Sequence, residues 1–378
     1  MDRTDGIGNW VRVDDPRDLG RATGAGDAAR FHARPLRDTG GDLLAVDVIA
    51  RGAETRCWRT GRDGAMALAA GLPDLPGRAL TASLRGIEAA SLRFGNRAAA
   101  AVMGIVNVTP DSFSDGGVAA EHAAAIARGR QLAAEGASII DVGGESTRPG
   151  AEPVAESEEW RRVAPVLEAL LADGLSVSID TRKAGIMTAA AALGVPIIND
   201  VSALTHDPAA LDAVAPLDAR IVLMHAQGDP TTMQQNPTYD DVVLDVFTEL
   251  QARIDTCIAA GIARQRVSAD PGIGFGKTFP QNLALLRHLP LFEGLGVPLL
   301  VGASRKGFVG WLTGVKQAGD RLGGSLGAAL FAGAQGADIL RVHDVRETVE
   351  ALTVFGAAGH GSTGGRAHRH GQAPSPSA

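Results

Sequence analysis

The sequence predicts an α/β protein built around a parallel (β/α)8 TIM barrel, and two observations lead to this prediction. From residue 101 onward, eight short apolar runs rich in Val and Ile alternate with longer Ala- and Leu-rich segments of helical period, which is the pattern of a closed parallel barrel. The chain has 378 residues, of which 45% are hydrophobic. It is therefore long enough for one barrel of about 250 residues with additional structure.

The N-terminal part of the chain, residues 1–98, shows no sustained period and is predicted to form a small α+β extension. Asp42–Arg51 and Glu54–Arg59 have the composition of short strands, and Gly64–Gly71 has that of a short helix. Pro73–Gly77 is predicted to be a turn. We assign no chemistry to this extension.

The barrel domain is predicted over residues 99–357, with the apolar runs as its strands because they are too short for helices. These runs are Val102–Val106, Ser138–Val142, Ser176–Ile179, Pro196–Ile198, Ile221–Met224, Val267–Ala269, Pro298–Val301 and Ile339–Val342. The intervening segments are predicted to be crossover helices. They are His122–Glu135, Glu158–Leu171, Lys183–Leu193, Pro208–Val214, Asp241–Ala260, Gln281–Leu289, Gly323–Gln335 and Val345–Phe355.

Residues 358–378 are predicted to form a disordered tail, because they contain no apolar residues that could pack against a core. His360, His368 and His370 lie in this tail. Three histidines can bind a metal in principle, but a solvated terminus of low complexity explains them better.

Composition excludes several classes of protein. The 36 basic and 43 acidic residues give a net charge of -7, so neither nucleic acid nor an anionic membrane surface is an expected partner. Cys57 and Cys257 are the only cysteines, and they lack the spacing of a thiolate metal site or a disulfide framework. The N-terminus lacks the apolar segment of a signal peptide, and no run of 18 apolar residues occurs, so a cytoplasmic location is expected.

Polar residues follow all eight apolar runs, at positions that meet at one mouth of a parallel barrel. They are Asn107, Gly143–Arg148, Asp180, Asn199–Asp200, His225, Asp270, Ser304–Lys306 and Arg341–His343. Each residue alone has an ordinary structural explanation. Asp180 can cap a helix, Asp270 can start a turn and His225 can be a satisfied core histidine. Their joint placement at eight successive strand ends favours a functional site.

This polar set combines donors for an anion with acceptors for a flat heterocycle. The donors suited to a phosphate-like group are Asn107, Arg148, Arg341 and His343, together with the backbone of Gly143 and Gly144. A carboxylate accepts two parallel hydrogen bonds from a ring edge that bears NH and NH2 groups. The residues suited to such an edge are Asp180, Asn199 and Asp270, with Lys306 as a neighbouring cation.

Seven motifs resemble those of the dihydropteroate synthase family. They are MGIVNVTPDSFSDGG, DVGGESTRPGA, SIDTRK, IINDVSAL, DPGIGFGKT, GASRKGF and RVHDV, and the resemblance extends from Val102 to about Leu352. Ala226 departs from the Met that is common in the family. The resemblance implies a (β/α)8 barrel that joins 7,8-dihydropterin-6-ylmethyl diphosphate to 4-aminobenzoate and forms 7,8-dihydropteroate and diphosphate. It also implies Mg2+ as cofactor and a homodimer.

The same resemblance implies roles for individual residues. The expected catalytic residues are Asp180, Asp270, Lys306, Arg341 and His343. The expected pterin pocket is Asp180, Asn199, Asp270 and Lys306, and the expected diphosphate site is Asn107, Arg148, Arg341 and His343, with Asn107 as the Mg2+ ligand. The 4-aminobenzoate site, where sulfonamides compete, is expected at Thr147, Pro149, Phe275, Ser304 and Arg305. Met224 and Gly302 are further expected substrate contacts, and a mobile loop is expected at Thr109, Pro110, Asp111, Ser112 and Phe113.

Two alternatives remain open at the level of sequence. Pterin-binding methyltransferase domains share the barrel and the Asp/Asn/Asp pocket, but they have no evident need for the motifs at Ser304–Lys306 and Arg341–His343. A paralogue that binds pterin without turnover is the second alternative. The motifs at Ser304–Lys306 and Arg341–His343 favour the synthase over the first alternative. Intact motifs at every loop favour an enzyme over the second.

Overall fold

The structure is a computed structural model that describes residues 10–21, 30–37, 42–51, 55–72, 74–95, 100–108, 117–146, 153–228 and 232–359. Within these ranges the chain forms an eight-stranded parallel sheet and a four-stranded mixed sheet. The predicted barrel with an N-terminal α+β extension is confirmed. Of the predicted tail, residues 360–378 lie outside the described residues, and residues 358 and 359 belong to the last helix.

The N-terminal extension is a four-stranded sheet with helices packed on it. Its elements are β1 (Val11–Val13), α1 (Arg17–Arg21), β2 (Arg30–Arg37), β3 (Leu43–Arg51), β4 (Arg56–Thr60), α2 (Arg62–Gly71) and α3 (Asp74–Gly95). Strand β3 pairs antiparallel with β2 and β4, and β1 pairs parallel with β4. Alternate residues of β3 face the helices of the extension, because side chains alternate between the two faces of a strand. The fully buried side chains of this core include Val46, Val48, Leu80 and Ile87.

The two strands and the short helix predicted for the extension are confirmed, but the predicted turn at Pro73–Gly77 is wrong. Helix α3 begins at Asp74, and Pro76 lies in its first turn, where a missing N–H costs no helical hydrogen bond. Strand β2 and helix α3 were not predicted. Gly77 and Gly86 inside α3 weaken its helical signal, since glycine is a poor helix former.

Gly86 allows α3 to lie directly against the barrel. A Cβ at this position would be 2.5 Å from the carbonyl oxygen of Gly294 and 2.8 Å from that of Glu293, both in the 3-10 helix Leu289–Leu295. At the same contact, Arg37 Nη2 lies 2.5 Å from Glu293 Oε2, with both side chains largely buried. The extension is therefore attached to the barrel by close backbone packing and by a buried ion pair.

Gly86→Ala should lower the free energy of unfolding by about 1–3 kcal/mol, because overpacking forces the backbones apart. Urea denaturation of the full chain measures this change. Gly71→Ala is the matched control, since a Cβ there meets no atom within 4 Å. That control should be neutral or stabilising, because alanine is the better helix former. Equal effects of the two substitutions would contradict the close contact.

The barrel is formed by eight parallel strands in the order β10-β9-β8-β7-β6-β5-β12-β11, and a bridge between Ala269 and Leu299 closes it. The strands are β5 (Ala101–Asn107), β6 (Ile139–Gly143), β7 (Val177–Asp180), β8 (Ile197–Asp200), β9 (Arg220–Met224), β10 (Val267–Asp270), β11 (Leu300–Val301) and β12 (Ile339–Val342). All eight overlap the predicted runs, with bounds that differ by no more than two residues. The fold therefore has its strand ends at one mouth, as the sequence pattern required.

The outer layer consists of helices that follow the strands. They are α4 (Gly117–Ala134), α5 (Glu156–Ala172), α6 (Ala184–Ala192), α7 (Ala210–Val214), α8 (Val242–Ala259), α9 (Phe279–Arg287), α10 (Gly307–Thr313), α11 (Leu322–Ala334) and α12 (Val345–Gly359). The short α10 was not predicted. None of the helices in the described ranges is both long and apolar enough to cross a membrane.

Strand register aligns the polar strand ends. Asn107 is paired with Gly143, Gly143 with Asp180, and Asp180 with Asn199. Neighbouring strands lie about 4.8 Å apart, so these residues form one row across β5 to β8.

On β12, Ile339 packs against the apolar cluster of Met103, Ile197, Val222 and Leu300. Arg341 is two residues further along the strand, so its side chain lies on the same face as Ile339.

Candidate active site

The predicted acceptors lie together at the carboxyl ends of the strands. Asp180 ends β7, Asn199 is the next-to-last residue of β8, and Asp270 ends β10. Each of the three residues is less than one tenth exposed. Burying polar groups in this way is costly unless they are paired or serve a ligand, so their hydrogen-bond partners decide what the site can do.

Arg341 is held between two buried carboxylates. Its Nε donates to Asp141 Oδ2 at 2.6 Å, and its Nη2 donates to Asp180 Oδ2 at 2.7 Å. Asn199 Nδ2 donates to the same Asp141 oxygen at 3.1 Å. These contacts join strands β6, β7, β8 and β12 in one polar network. The guanidinium neutralises part of the negative charge that the two aspartates bring into the barrel.

Asp141 is a member of this network that the strand-end pattern did not single out, because it lies within the apolar run of β6. It is fully buried, and its Oδ1 has no hydrogen-bond partner in the described part of the chain. A charged residue inside an otherwise apolar strand segment was the signal in the sequence. Its contacts hold Arg341 and Asn199 in position, so Asp141 acts as a positioning residue for both.

The loop after β10 fixes the carboxylate of Asp270. Asp270 Oδ1 accepts a hydrogen bond of 2.7 Å from the backbone N–H of Gly272. Gly272 has φ +67°, and a Cβ there would lie 1.8 Å from the carbonyl oxygen of His225, so only glycine fits. Lys277 is 1% exposed and donates to the carbonyl oxygens of Gly272 and His225 at 2.9 and 3.1 Å.

His225 is a satisfied buried histidine rather than an open site residue. Its Nε2 lies 3.0 Å from Glu249 Oε2, and its Nδ1 lies 3.0 Å from Lys277 Nζ. Burial and the neighbouring Lys277 lower the pKa of His225 to about 4. The imidazole is therefore neutral at physiological pH, and together with Lys277 it supports the loop that carries Asp270.

Lys306 and Phe275 form one wall of the site. Lys306 Nζ lies 4.0 Å from the centre of the Phe275 ring, which is a cation–π contact. Lys306 precedes α10, and Phe275 lies in the loop that follows Asp270. Met224 ends β9 in register with Asp270. These residues were all predicted as substrate contacts, and they come from three successive strand ends.

Ser304, Arg305 and His343 lie at the ends of the last two strands. Ser304 Oγ is 3.1 Å from His343 Nδ1 and accepts from the backbone N–H of His343 at 3.3 Å. Arg305 Nε donates to Asp344 at 3.0 Å, and the Arg305 backbone has φ 59°. A left-handed arginine is strained, which is common at functional sites. Gly302, another predicted substrate contact, lies beside Arg341, since a Cβ at position 302 would be 3.8 Å from Arg341 Cβ.

Asn107 is the predicted metal ligand. It ends β5, and among the described residues no group of three or more His, Cys, Asp and Glu side chains has the arrangement of a metal site. Mg2+ keeps several waters and is commonly held by one or two protein oxygens together with substrate phosphates. One amide oxygen at this end of the barrel therefore fits a Mg2+ ion that is bound mainly by a diphosphate.

The remaining predicted site residues follow strands β5 and β6 in the sequence. Thr147, Arg148 and Pro149, together with the predicted loop residues Thr109, Pro110, Asp111, Ser112 and Phe113, lie outside the described residues. Glu145, two residues before Thr147 in the sequence, is buried, accepts from the Val154 N–H at 2.9 Å and forms an ion pair with Arg182 at 3.1 Å.

Comparison with known proteins decides the family. A family model described as pterin binding enzyme matches residues 103–343. The dihydropteroate synthase of Neisseria meningitidis serogroup B is 53% identical over 263 residues, which cover 68% of this chain and 92% of that protein. The chain belongs to the dihydropteroate synthase family. The resemblance in the seven motifs is thereby confirmed, and the family match begins after the N-terminal extension.

Two solved structures of dihydropteroate synthases show the same barrel. The enzyme of Xanthomonas albilineans with 4-aminobenzoic acid is 52% identical, with a TM-score of 0.65 over 69% of this chain and 93% of that chain. The enzyme of Yersinia pestis in a sulfonamide drug complex is 47% identical, with a TM-score of 0.65 over 69% of this chain and 94% of that chain. Both matches leave about 30% of this chain uncovered.

Proposed function

We propose that the chain condenses 7,8-dihydropterin-6-ylmethyl diphosphate with 4-aminobenzoate to give 7,8-dihydropteroate and diphosphate, a step of folate biosynthesis. The observation that carries this proposal is the bridge of Arg341 between Asp141 and Asp180. It puts a cation suited to a diphosphate next to carboxylates suited to a pterin. Membership of the dihydropteroate synthase family supports the same reaction.

The pterin ring is assigned to Asp180, Asn199, Asp270 and Lys306. A pterin carries NH and NH2 donors on one edge, and a buried carboxylate accepts such pairs strongly. Asp180 and Asp270 lie on different sides of the barrel mouth, on β7 and β10. A flat ring between them can therefore be held by acceptors at more than one edge, with Lys306 donating to ring acceptors.

The diphosphate is assigned to Arg341, His343 and Asn107, with Arg148 as a further donor. Guanidinium groups bind phosphate oxygens through paired hydrogen bonds. Asn107 would hold Mg2+, which when bound supplies positive charge to the diphosphate. Ser304 orients His343 through the 3.1 Å contact. These groups stabilise the negative charge that develops on the leaving diphosphate. Breaking the carbon–oxygen bond to that group is the main barrier of the reaction.

The 4-aminobenzoate is assigned to Phe275, Ser304 and Arg305, with Thr147 and Pro149 as further contacts. Its amine nitrogen forms the new bond to the pterin methylene carbon. The carbon–oxygen bond breaks, its electron pair leaves with the diphosphate, and the amine proton passes to solvent. A neutral aromatic amine needs little help from a base, so the residues named here bind and orient. The Yersinia pestis relative in a sulfonamide complex supports sulfonamide binding at this subsite.

Incubation of the purified chain with the dihydropterin diphosphate, 4-aminobenzoate and Mg2+ tests the proposal. Dihydropteroate and diphosphate should appear in equal amounts, as measured by chromatography and a diphosphate assay. Chelation of Mg2+ should slow the reaction, and restored Mg2+ should recover it. Absence of both products under these conditions would remove the proposed function.

We also propose that the protein is a cytoplasmic homodimer. Large apolar side chains are exposed on α10, α11 and α12, and contiguous apolar surface is typical of interaction sites. They include Trp311, Leu312, Phe331, Val354 and Phe355. Analytical ultracentrifugation of the full chain should give twice the monomer mass, and a monomer at all concentrations would contradict the homodimer.

Binding of a pterin should weaken as the pH is lowered through about 7 and about 6. Burial raises the pKa of Asp180 to about 7 against the opposing charge of Arg341, and burial raises the pKa of Asp270 to about 6 against the Gly272 hydrogen bond. Below these values each carboxyl is protonated and loses acceptor capacity. Calorimetric titration with 6-hydroxymethylpterin at a series of pH values measures the effect. Asp270→Asn should remove the part of this pH dependence that comes from Asp270, and an unchanged profile in that variant would contradict the assignment.

A further inference from the structure

A cavity of about 290 Å3 lies where the N-terminal extension meets the barrel, and it shares no residue with the site at the strand ends. Its walls come from the N-terminal stretch, from β2, β3 and β4, and from the residue that follows α9. The polar and aromatic lining residues are Trp10, Arg12, Arg34, Asp47, Arg59 and His288. The family match at residues 103–343 does not include the five of them that lie in the extension.

The charges around this cavity do not balance. Asp47 is 1% exposed and pairs with both Arg34 and Arg59, with 2.7 Å between Arg59 Nε and Asp47 Oδ1. Burial lowers the pKa of His288 to about 4, so this histidine is neutral at physiological pH. Three guanidinium groups therefore face one carboxylate, which leaves two positive charges at the cavity.

Hydrogen-bond donors also remain for a ligand. Arg34 Nε is buried without a hydrogen-bond partner in the described residues. The Arg34 guanidinium is held in place, because its Nη1 lies 2.5 Å from His288 Nδ1 and its central carbon lies 5.0 Å from the centre of the Trp10 ring. Arg12 is exposed at the cavity, and no residue of the described chain forms an ion pair with its side chain.

Trp10 connects this cavity to the barrel. Its Nε1 donates to Asp241 Oδ2 at 2.8 Å, and its ring centre lies 4.5 Å from that of His288. Asp241 caps the N-terminus of α8 through the backbone N–H groups of Val243 and Leu244. The cavity is thus built on fixed side chains, and Trp10 provides an intrinsic fluorescent reporter in its wall.

We propose that this cavity binds a phosphate group, either as free phosphate or diphosphate or as part of a small organic molecule. Two uncompensated guanidinium charges match a dianion, whereas a single carboxylate would leave one of them unpaired. The planar guanidinium group also fits phosphate oxygens through paired N–H donors. The proposal is independent of the proposed catalytic function, because the two sites have no residue in common.

Fluorescence titration of the full chain with inorganic phosphate, diphosphate and AMP tests this proposal and distinguishes the sources of the phosphate group. A saturable change is expected for at least one of the three, and it should be absent in Trp10→Phe, which separates it from diphosphate bound at the strand ends. Arg12→Gln should raise the dissociation constant by on the order of tenfold or more, since it removes one charge-assisted contact.

Arg17→Gln is the matched control, because Arg17 is an exposed arginine of the same extension that pairs with Asp15 outside the cavity. It should bind phosphate like the unchanged chain. Arg12→Gln should retain the circular dichroism spectrum and the synthase activity of the unchanged chain. A titration without any change that depends on Trp10, or equal affinities of the Arg12→Gln and Arg17→Gln variants, would overturn the proposal.

Discussion

Replacing Arg341 by alanine should lower the rate of dihydropteroate formation by about 10²–10³-fold, the usual cost of removing a donor that stabilises developing charge. The side chain donates to Asp141 at 2.6 Å and to Asp180 at 2.7 Å. Truncation removes a charge that we assign to the leaving group, and it leaves two buried carboxylates without their counter-ion. Single-turnover measurements with saturating substrates report the chemical step directly.

Two further variants make this result specific. Arg341→Lys keeps the charge but cannot contact both aspartates through a planar fork, so its rate should lie between those of Arg341→Ala and the unchanged chain. Arg130→Ala removes a half-exposed arginine that pairs with Asp173, and it should leave the rate unchanged. A rate for Arg341→Ala close to that of the unchanged chain would show that Arg341 does not serve the leaving group.

Asp180→Asn should weaken pterin binding by on the order of 10²-fold, because hydrogen bonds to a charged group contribute about 1.5–3 kcal/mol each. The substitution keeps the size of the side chain, and Arg341 retains its contact with Asp141. It replaces one acceptor oxygen with an NH2 group that faces the donors of the ring. Calorimetric titration with 6-hydroxymethylpterin measures the affinity without any contribution from a diphosphate.

Asp173→Asn is the control for this experiment, since Asp173 lies at the end of α5 and pairs only with Arg130 among the described residues. Thermal melting of both variants separates a binding defect from unfolding. If Asp180→Asn folded normally and bound the pterin as tightly as the control, Asp180 would not belong to the pterin pocket.

The barrel and the predicted positions of its strand ends could be derived from sequence because the strands are buried on both faces. Such strands are continuous apolar runs, and the polar residue that ends each run therefore stands out. Asp180, Asn199 and Asp270 were found in this way. Asp141 was missed because it lies inside the run Ser138–Val142, although Arg341, which also lies inside a run, was singled out with the polar end of Ile339–Val342.

The contacts of Asp141 show why the rest of the site is not local in sequence. Its partners Arg341 and Asn199 are 200 and 58 residues away, and only barrel closure brings them together. Lys277 is a similar case. Its ammonium group is turned inward onto the carbonyl oxygens of Gly272 and His225, and His225 is 52 residues away in the sequence.

The N-terminal extension was the least predictable part of the fold. Helix α3 contains glycine at position 86 for a reason that the sequence cannot show, namely the carbonyl oxygen of Gly294 at 2.5 Å from its missing Cβ. The cavity beside Arg34 and Asp47 is likewise formed by contacts between the extension and the barrel. Neither the extension nor the barrel alone has a sequence pattern that predicts this cavity.

The positive φ of Gly272 has a consequence for the variation that this protein can tolerate. Residues that recognise a ligand can change when the ligand changes, but position 272 is constrained by a carbonyl oxygen of the protein itself. Any side chain there would displace the backbone that holds Asp270, whatever molecule occupies the mouth. Members of the family with altered substrate or inhibitor preference should therefore differ around this glycine while retaining it.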